Sequence, residues 1–308
     1  TATGLNALFQ NSTGNNNTAV GNFTLPNNSS GNNNTGTGTG ALSTNTTGNN
    51  NTAAGTGSLF SNTTGYSNVA IGTEALYKNT VRTNLVAVGD SALYNNGTGA
   101  SFPFESINNT AVGSKALYAN TKGNDNAATG FNSLYTNTTG YSNTANGSFS
   151  LYANTIGRNN TAIGSSSLSS NITGHHNTAV GIQSLQFNNG LGNTAVGYTA
   201  LTANTTGNYN TALGFAADVS ANNLTNATAI GYNAIAAVSN SLILGGTGVN
   251  AVNVGIGNST PGFPLNFANT LGNKISLYGN SGNHYGLGIQ NGLLQIYSDA
   301  VAADIAFG

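Results

Sequence analysis

The chain is built from a short phrase that recurs at an almost constant spacing. Its consensus is N-T-A-(V/I)-G-x-x-(A/S)-L-x-x-N-T-T-G-x-x, and eleven of the thirteen intervals between successive reference glycines are 17 residues long. One interval is 16 residues and one is 24. The reference glycines are Gly4, Gly21, Gly38, Gly55, Gly72, Gly89, Gly113, Gly130, Gly147, Gly164, Gly181, Gly197, Gly214 and Gly231. This regularity predicts a stack of equivalent units.

The length and composition of the repeat favour a β-solenoid. Seventeen residues are too few for a helical hairpin, and the recurring glycine and asparagine are poor helix formers. We predict an all-β chain, a parallel β-solenoid with one 17-residue coil per repeat, each coil having two short strands and two turns. The N-T-T-G glycine is expected in a turn that needs positive φ. Fourteen coils at roughly 4.8 Å each would span on the order of 65 Å.

Three columns of residues support stacking in register. Leucine lies four residues after the reference glycine in twelve of fourteen coils, with Asp218 and Ile235 as exceptions. Alanine lies two residues before it in thirteen of fourteen, with Gly36 as the exception. Asparagine lies four residues before it in eleven of thirteen coils, and stacked asparagines can bond amide to amide. The pattern predicts an inward leucine, a sterically tight alanine and an asparagine ladder.

The predicted strands are apolar on both faces. Adjacent strand residues point in opposite directions, yet Ala-Ile or Ala-Val pairs fill 70–71, 162–163 and 179–180. A coil has one interior, so the other apolar face needs a partner. We therefore expect lateral association of identical chains.

Several phrases resemble known fibre proteins. Residues 177–181 (N-T-A-V-G) and 68–72 (N-V-A-I-G) look like the head repeats of YadA-like trimeric autotransporter adhesins. The full repeat, over about 1–262, is similar to bacterial and phage fibre proteins that carry a C-terminal endosialidase-type intramolecular chaperone. Residues 253–261 (N-V-G-I-G-N-S-T-P) are similar to a phrase of those proteins.

The resemblance implies a homotrimer of left-handed parallel β-rolls that is extracellular and used for attachment, on a cell-surface appendage or a virion fibre. The heads of that family more often have 14-residue coils. The chain begins at Thr1 rather than Met, and no such chaperone follows Gly308, so we expect a processed form or a piece of a longer protein.

Three regions are expected along the chain: a 17-residue-repeat solenoid over 1–236, transition coils over 237–262, and a small antiparallel β cap over 263–308. In the last region apolar residues alternate with period two, and Asn291-Gly292 is typical of a type I′ hairpin turn. A cap would protect the end of the stack from edge-to-edge pairing.

Composition argues against several classes of function. Charged residues are 4% of the chain and the net charge is -1, which disfavours nucleic-acid binding and a polybasic membrane patch. No apolar run approaches the length of a membrane helix, and cysteine is absent. The chain has only three His and seven acidic residues, and no acidic residue recurs at the repeat period. We therefore predict no enzyme, no cofactor and no metal centre. Asp299 and Asp304 are best interpreted as a solvated pair.

The 24-residue interval predicts a loop expelled from the stack at about 96–106. It carries Phe102, Phe104 and Glu105, and two phenylalanines flanking a proline suit a contact surface. The alternative is that both rings fold back onto the coil wall or a neighbouring chain. Arg82, in place of a turn glycine, is interpreted as a local turn variant.

An aromatic column follows the leucine column in six consecutive coils. Its members are Phe60, Tyr77, Tyr94, Tyr118, Tyr135 and Tyr152. The rings could form an outward ladder that binds sugar rings, or a ladder that only stiffens the wall. His175 and His176 could ring a metal around a trimer axis, but their equivalents in other coils are expected to be outer turn residues.

The leading functional hypothesis is a non-enzymatic extracellular fibre segment for adhesion or surface recognition, multivalent through trimerisation, with cell-surface glycan as a candidate ligand. One alternative is a purely structural shaft or filament subunit without ligand. Another is ice binding, because Thr35, Thr37 and Thr39 resemble flat threonine arrays. A further threonine column is Thr52, Thr144, Thr161, Thr178, Thr194 and Thr211.

Overall fold

The computed structural model describes residues 1–267, 272–280, 283–290 and 293–298, and these residues contain no α-helix. One 3-10 turn lies at Gly248–Asn250. The chain divides into two compact units, Thr1–Asn250 and a second that begins at Ala251. The first unit is a parallel β-solenoid of 17-residue coils, which confirms the predicted architecture.

Fifteen strands form its main sheet in the order of the sequence. They are β1 (Ala2–Thr3), β2 (Thr18–Val20), β3 (Thr35–Thr37), β4 (Thr52–Ala54), β5 (Val69–Ile71), β6 (Val86–Val88), β7 (Thr110–Val112), β8 (Ala127–Thr129), β9 (Thr144–Asn146), β10 (Thr161–Ile163), β11 (Thr178–Val180), β12 (Thr194–Val196), β13 (Thr211–Leu213), β15 (Thr228–Ile230) and β17 (Leu242–Leu244). A second sheet pairs β14 (Asp218–Val219) with β16 (Ile235–Ala236).

Every coil repeats the same register in the main sheet. In β10 and β11, Thr161 pairs with Thr178 and Ala162 with Ala179. The backbone N–H of Thr161 donates to the carbonyl oxygen of Asn177 over 2.8 Å. Equivalent positions of successive repeats therefore lie above one another along the whole sheet, as the columns in the sequence predict.

The predicted second strand of each coil is wrong for most coils. It exists only as β14 and β16. In the other coils the segment opposite the main sheet is a run of turns. There the leucine of the leucine column has a left-handed backbone conformation, with φ between 48° and 54°. The turns still bond between coils, since the N–H of Leu134 donates to the oxygen of Ser150 over 3.0 Å.

The two exceptions to the leucine column lie where this side becomes extended. Ile235 belongs to β16 and Asp218 to β14, and neither has a positive φ. A β-branched isoleucine is poorly suited to the left-handed conformation, so an extended strand is the accessible geometry there. The following coil is short, since Thr228 pairs with Leu242 only 14 residues later.

The interior of the solenoid combines small apolar side chains with amide ladders. The alanines at the strand centres and the leucines from Leu25 to Leu201 are almost fully buried. The asparagine column before the strands is buried, and Asn143 Nδ2 donates to Asn126 Oδ1 over 3.1 Å, which confirms the predicted ladder. The N-T-T-G asparagines form a second ladder, in which Asn154 Nδ2 donates to Asn137 Oδ1 over 2.8 Å.

The expectation that the N-T-T-G glycine needs positive φ is wrong. Gly48 and Gly140 are not in that region, whereas the reference glycines are, as with Gly147 at φ 141°. A Cβ on Gly140 would overlap the carbonyl oxygen of Gly157 and the Oδ1 of Asn137. Glycine is therefore required because successive turns approach each other closely, not because of the backbone angle.

The second unit contains a parallel pair and an antiparallel sheet. The pair is β18 (Val254–Ile256) with β19 (Leu265–Phe267), and the sheet is β20 (Gly272–Asn280), β21 (Asn283–Gln290) and β22 (Leu293–Ser298). The predicted turn at 291–292 lies outside the described residues. That this sheet caps the solenoid stays a prediction.

The left-handed backbone conformation of the column leucines can be tested directly by substitution. Leu134→Ile keeps the side-chain volume but places a β-branched residue at φ 50°, so we expect the free energy of unfolding to fall by about 1–3 kcal/mol. Leu134→Met keeps an unbranched Cβ and should lose less than about 1.5 kcal/mol. Chemical denaturation of both variants measures the difference. Equal losses would contradict a left-handed residue at this position.

Candidate ligand-binding surface

The long interval produces a loop that leaves the stack without breaking it. Asn96 Nδ2 donates to the oxygen of Ser106 over 2.9 Å, as Asn120 Nδ2 does to Gly123 in the next coil. Residues 97–105 therefore stand where the next coil has only two residues, Thr121 and Lys122. The hydroxyl of Ser106 also donates to the oxygen of Thr121. The coil therefore closes beneath the loop.

Arg82 fastens this loop from the preceding coil. Its Nη1 donates to the oxygen of Phe102 and its Nη2 to the oxygen of Ala100, both over 2.8 Å. The residue is only 8% exposed. The interpretation of Arg82 as a local turn variant missed this role. The arginine that replaces the turn glycine supplies a guanidinium group that donates to two carbonyl oxygens of the loop.

Glu105 fixes the shape of the loop from within. Its Oε2 accepts hydrogen bonds from the backbone N–H groups of Ser101, over 2.6 Å, and Phe102, over 2.9 Å. These bonds, the one from Phe102 first, lower the pKa of Glu105 below its ordinary value, so the carboxylate is ionised at neutral pH. Lys122 lies 3.9 Å from Oε1. Glu105 is thus a loop-forming residue as well as a surface acid.

The two phenylalanines of the loop form an exposed stacked pair. Phe102 and Phe104 are 57% and 62% exposed, and their ring centroids lie 5.5 Å apart at an interplanar angle of 7°. Neither ring folds back onto the coil wall of this chain.

A groove lies on each side of the loop. One, of about 450 Å³, is lined by Phe104, Glu105, Lys122 and Tyr141 among others. The other, of about 480 Å³, is lined by residues that include Tyr66, Val81, Arg82, Ala100 and Pro103. The loop is therefore an aromatic ridge between two shallow grooves.

The aromatic column forms a continuous ring ladder. Successive rings lie 5.0 to 5.4 Å apart and within 3° to 16° of parallel, from Phe60 through Tyr77, Tyr94, Tyr118 and Tyr135 to Tyr152. All six rings are half-buried. Each inner ring has a neighbour on both faces, so it offers only its edge to a ligand.

The outer face of the main sheet is apolar on one side and rich in hydroxyl groups on the other. The last residue of each strand is often Val, Ile or Leu, and six of these are 37% to 48% exposed: Val20, Ile71, Val112, Ile163, Leu213 and Leu244. The first strand residue is threonine in most coils, including the column from Thr52 to Thr211. Thr35 and Thr37 share this face on β3, whereas Thr39 lies beyond the strand.

The remaining candidates are not assembled into a site. The rings of His175 and His176 lie 6.5 Å apart, and burial lowers the pKa of His175. In the part of the chain that the structure describes, no three His, Asp or Glu side chains could hold a metal ion together. Asp299 and Asp304 lie outside the described residues. No helix within those residues is long and apolar enough to cross a bilayer.

Comparison with models of known protein families, with curated proteins and with solved structures finds no match. A fixed, exposed aromatic ridge with an ion pair at its side is suited to contact with another surface.

Proposed function

We propose that the chain is a non-enzymatic extracellular fibre segment that recognises a surface through the ridge at 97–105. The observation that carries this is the fastening of the loop: Arg82 and Glu105 bond to the loop backbone, and Phe102 and Phe104 are exposed on the loop that they hold. A rigid exposed pair loses little conformational freedom on binding. The resemblance of the repeat to YadA-like heads supports the same function.

Trimerisation through the outer sheet face would multiply this weak site. The strand-end residues from Ile163 through Leu213 to Leu244 form an uninterrupted apolar file, partly exposed, of the kind that identical chains cover in an assembly. Three ridges on one fibre would raise the avidity well above that of one ridge. The proposed partner is therefore two further copies of this chain.

The ridge is tested by Phe102→Ala combined with Phe104→Ala. Removing both rings should lower retention of the purified chain on immobilised bacterial and cultured epithelial cells by about tenfold or more, because exposed aromatic anchors dominate such contacts. Arg82→Gly, which restores the repeat consensus, should lower retention as well and make the loop more sensitive to protease.

The matched control is Phe131→Ala with Phe149→Ala, a second exposed ring pair 5.4 Å apart on the coil wall. It should leave retention unchanged. If the ridge variant binds as the unaltered chain does, or if no cell surface retains the chain at all, the structural-shaft function replaces this one.

Ice binding is the second candidate, favoured by the in-register threonine column on the outer face of the main sheet. It needs that face open to water, whereas trimerisation covers it. Native mass and thermal hysteresis together separate the two functions. Adhesion predicts three chains and no hysteresis. A single chain that shows hysteresis, lost in Thr161→Tyr and Thr178→Tyr, would instead support ice binding.

A further inference from the structure

The ring ladder ends in different ways at its two ends. At the far end, Tyr152 is contacted by Phe149, with ring centroids 5.7 Å apart at 62°. At the near end, Phe60 stacks on Tyr77 and on no other ring of the described residues. The preceding coil has Ser43 in the ladder position. One face of Phe60 is therefore left without an aromatic neighbour.

A groove of about 480 Å³ lies at this open end. Its walls include Phe23, which is 46% exposed, together with Phe60 and Tyr77. Phe23 stacks on no ring among the residues described. Three aromatic side chains thus border the groove without filling it.

Two glycines keep the groove open. Gly40 and Gly57 are the only glycines in their column, whose other members include Phe23 and Glu74 at nearly the same φ. Left-handed backbone therefore does not require glycine here. A Cβ on Gly40 would lie 3.4 Å from the ring of Phe60, and one on Gly57 would lie 3.3 Å from that of Tyr77. Because glycine has no side chain, the ring edges of Phe60 and Tyr77 are left uncovered. In other coils a side chain covers the corresponding ring edge.

The polar lining of the groove consists mainly of hydroxyl groups. Thr39, Ser43 and Thr56 contribute them, and Glu74 contributes the single charge. Within the described residues, the carboxylate of Glu74 has no hydrogen-bonded or ion-paired side chain. It is a free acceptor that would attract hydroxyl donors and repel an anion.

We infer that this groove binds a neutral pyranose of an oligosaccharide chain. One face of such a ring carries C–H groups that suit the negative face of an aromatic ring, and its rim carries hydroxyl groups that can donate to Glu74 and bond to the threonines. The single acidic charge disfavours sialylated and other anionic sugars. This site goes beyond the proposed function, because the groove and the ridge lie on different coils.

The experiment uses the whole chain and saturation-transfer NMR with cellobiose, maltose, mannobiose and chitobiose, with sialyllactose as the anionic comparison. At millimolar concentration we expect at least one neutral disaccharide to bind and sialyllactose not to bind. Ser43→Tyr places a ring on the open face of Phe60, extends the ladder and fills the groove. It should weaken binding by about tenfold or more.

Ser169→Tyr is the matched control. Ser169 occupies the ladder position one coil after Tyr152, just as Ser43 occupies it one coil before Phe60. Phe149 precedes Ser169 by the same number of residues as Phe23 precedes Ser43. This variant adds the same ring away from the groove and should leave binding unchanged. Phe60→Leu, which keeps an apolar side chain without the aromatic face, should weaken binding like Ser43→Tyr.

The inference is overturned if none of the four neutral disaccharides binds, or if Ser43→Tyr and Phe60→Leu bind as the unaltered chain does. Loss of cell retention in the ridge variant with disaccharide binding intact would support the ridge and the groove as separate sites. Loss of disaccharide binding in that ridge variant would overturn the groove as an independent site.

Discussion

Hydrogen bonds between neighbouring coils hold every other feature of the solenoid in place. The backbone supplies them on the strand side and on the turn side, and two buried asparagine ladders add side-chain bonds between them. Asn137 shows how completely these buried amides are paired. Its Nδ2 donates to Asn120 Oδ1 and to the carbonyl oxygen of Gly140, and its Oδ1 accepts from Asn154 Nδ2. A shift of one residue would leave these buried amides unpaired, so the register is strongly specified.

Fixed register turns each repeated residue into a column, and the columns give the surface its character. The small alanine faces inward, which lets the sheet approach the leucine column, and the Val and Ile residues then face outward. Aromatic residues at one position become a ladder rather than isolated rings. Local departures from the repeat are therefore the places where a site can form. The loop above Arg82 and the groove at Gly40 and Gly57 are two such departures.

The sequence predicts the period, the buried leucine and alanine columns and one asparagine ladder, because each follows from spacing alone. The left-handed leucines were missed because leucine rarely adopts positive φ outside such a repeated constraint. The reason for the N-T-T-G glycine was wrong because spacing does not distinguish a backbone angle from a close approach, which depends on Gly157 in the next coil. Arg82 was missed because its partners are carbonyls of a loop whose path the sequence does not give.

Amide hydrogen exchange tests the in-register stack most directly. Protection should recur with a 17-residue period on both sides of each coil, so that the amide of Leu134, which donates to Ser150, is protected like that of Thr144, which donates to Asn160. The period should break only across the loop at 97–105, at the single 16-residue interval and at the 14-residue step from Thr228 to Leu242. Protection confined to the strand residues, or protection without this period, would contradict coils that are bonded to one another around their whole circumference.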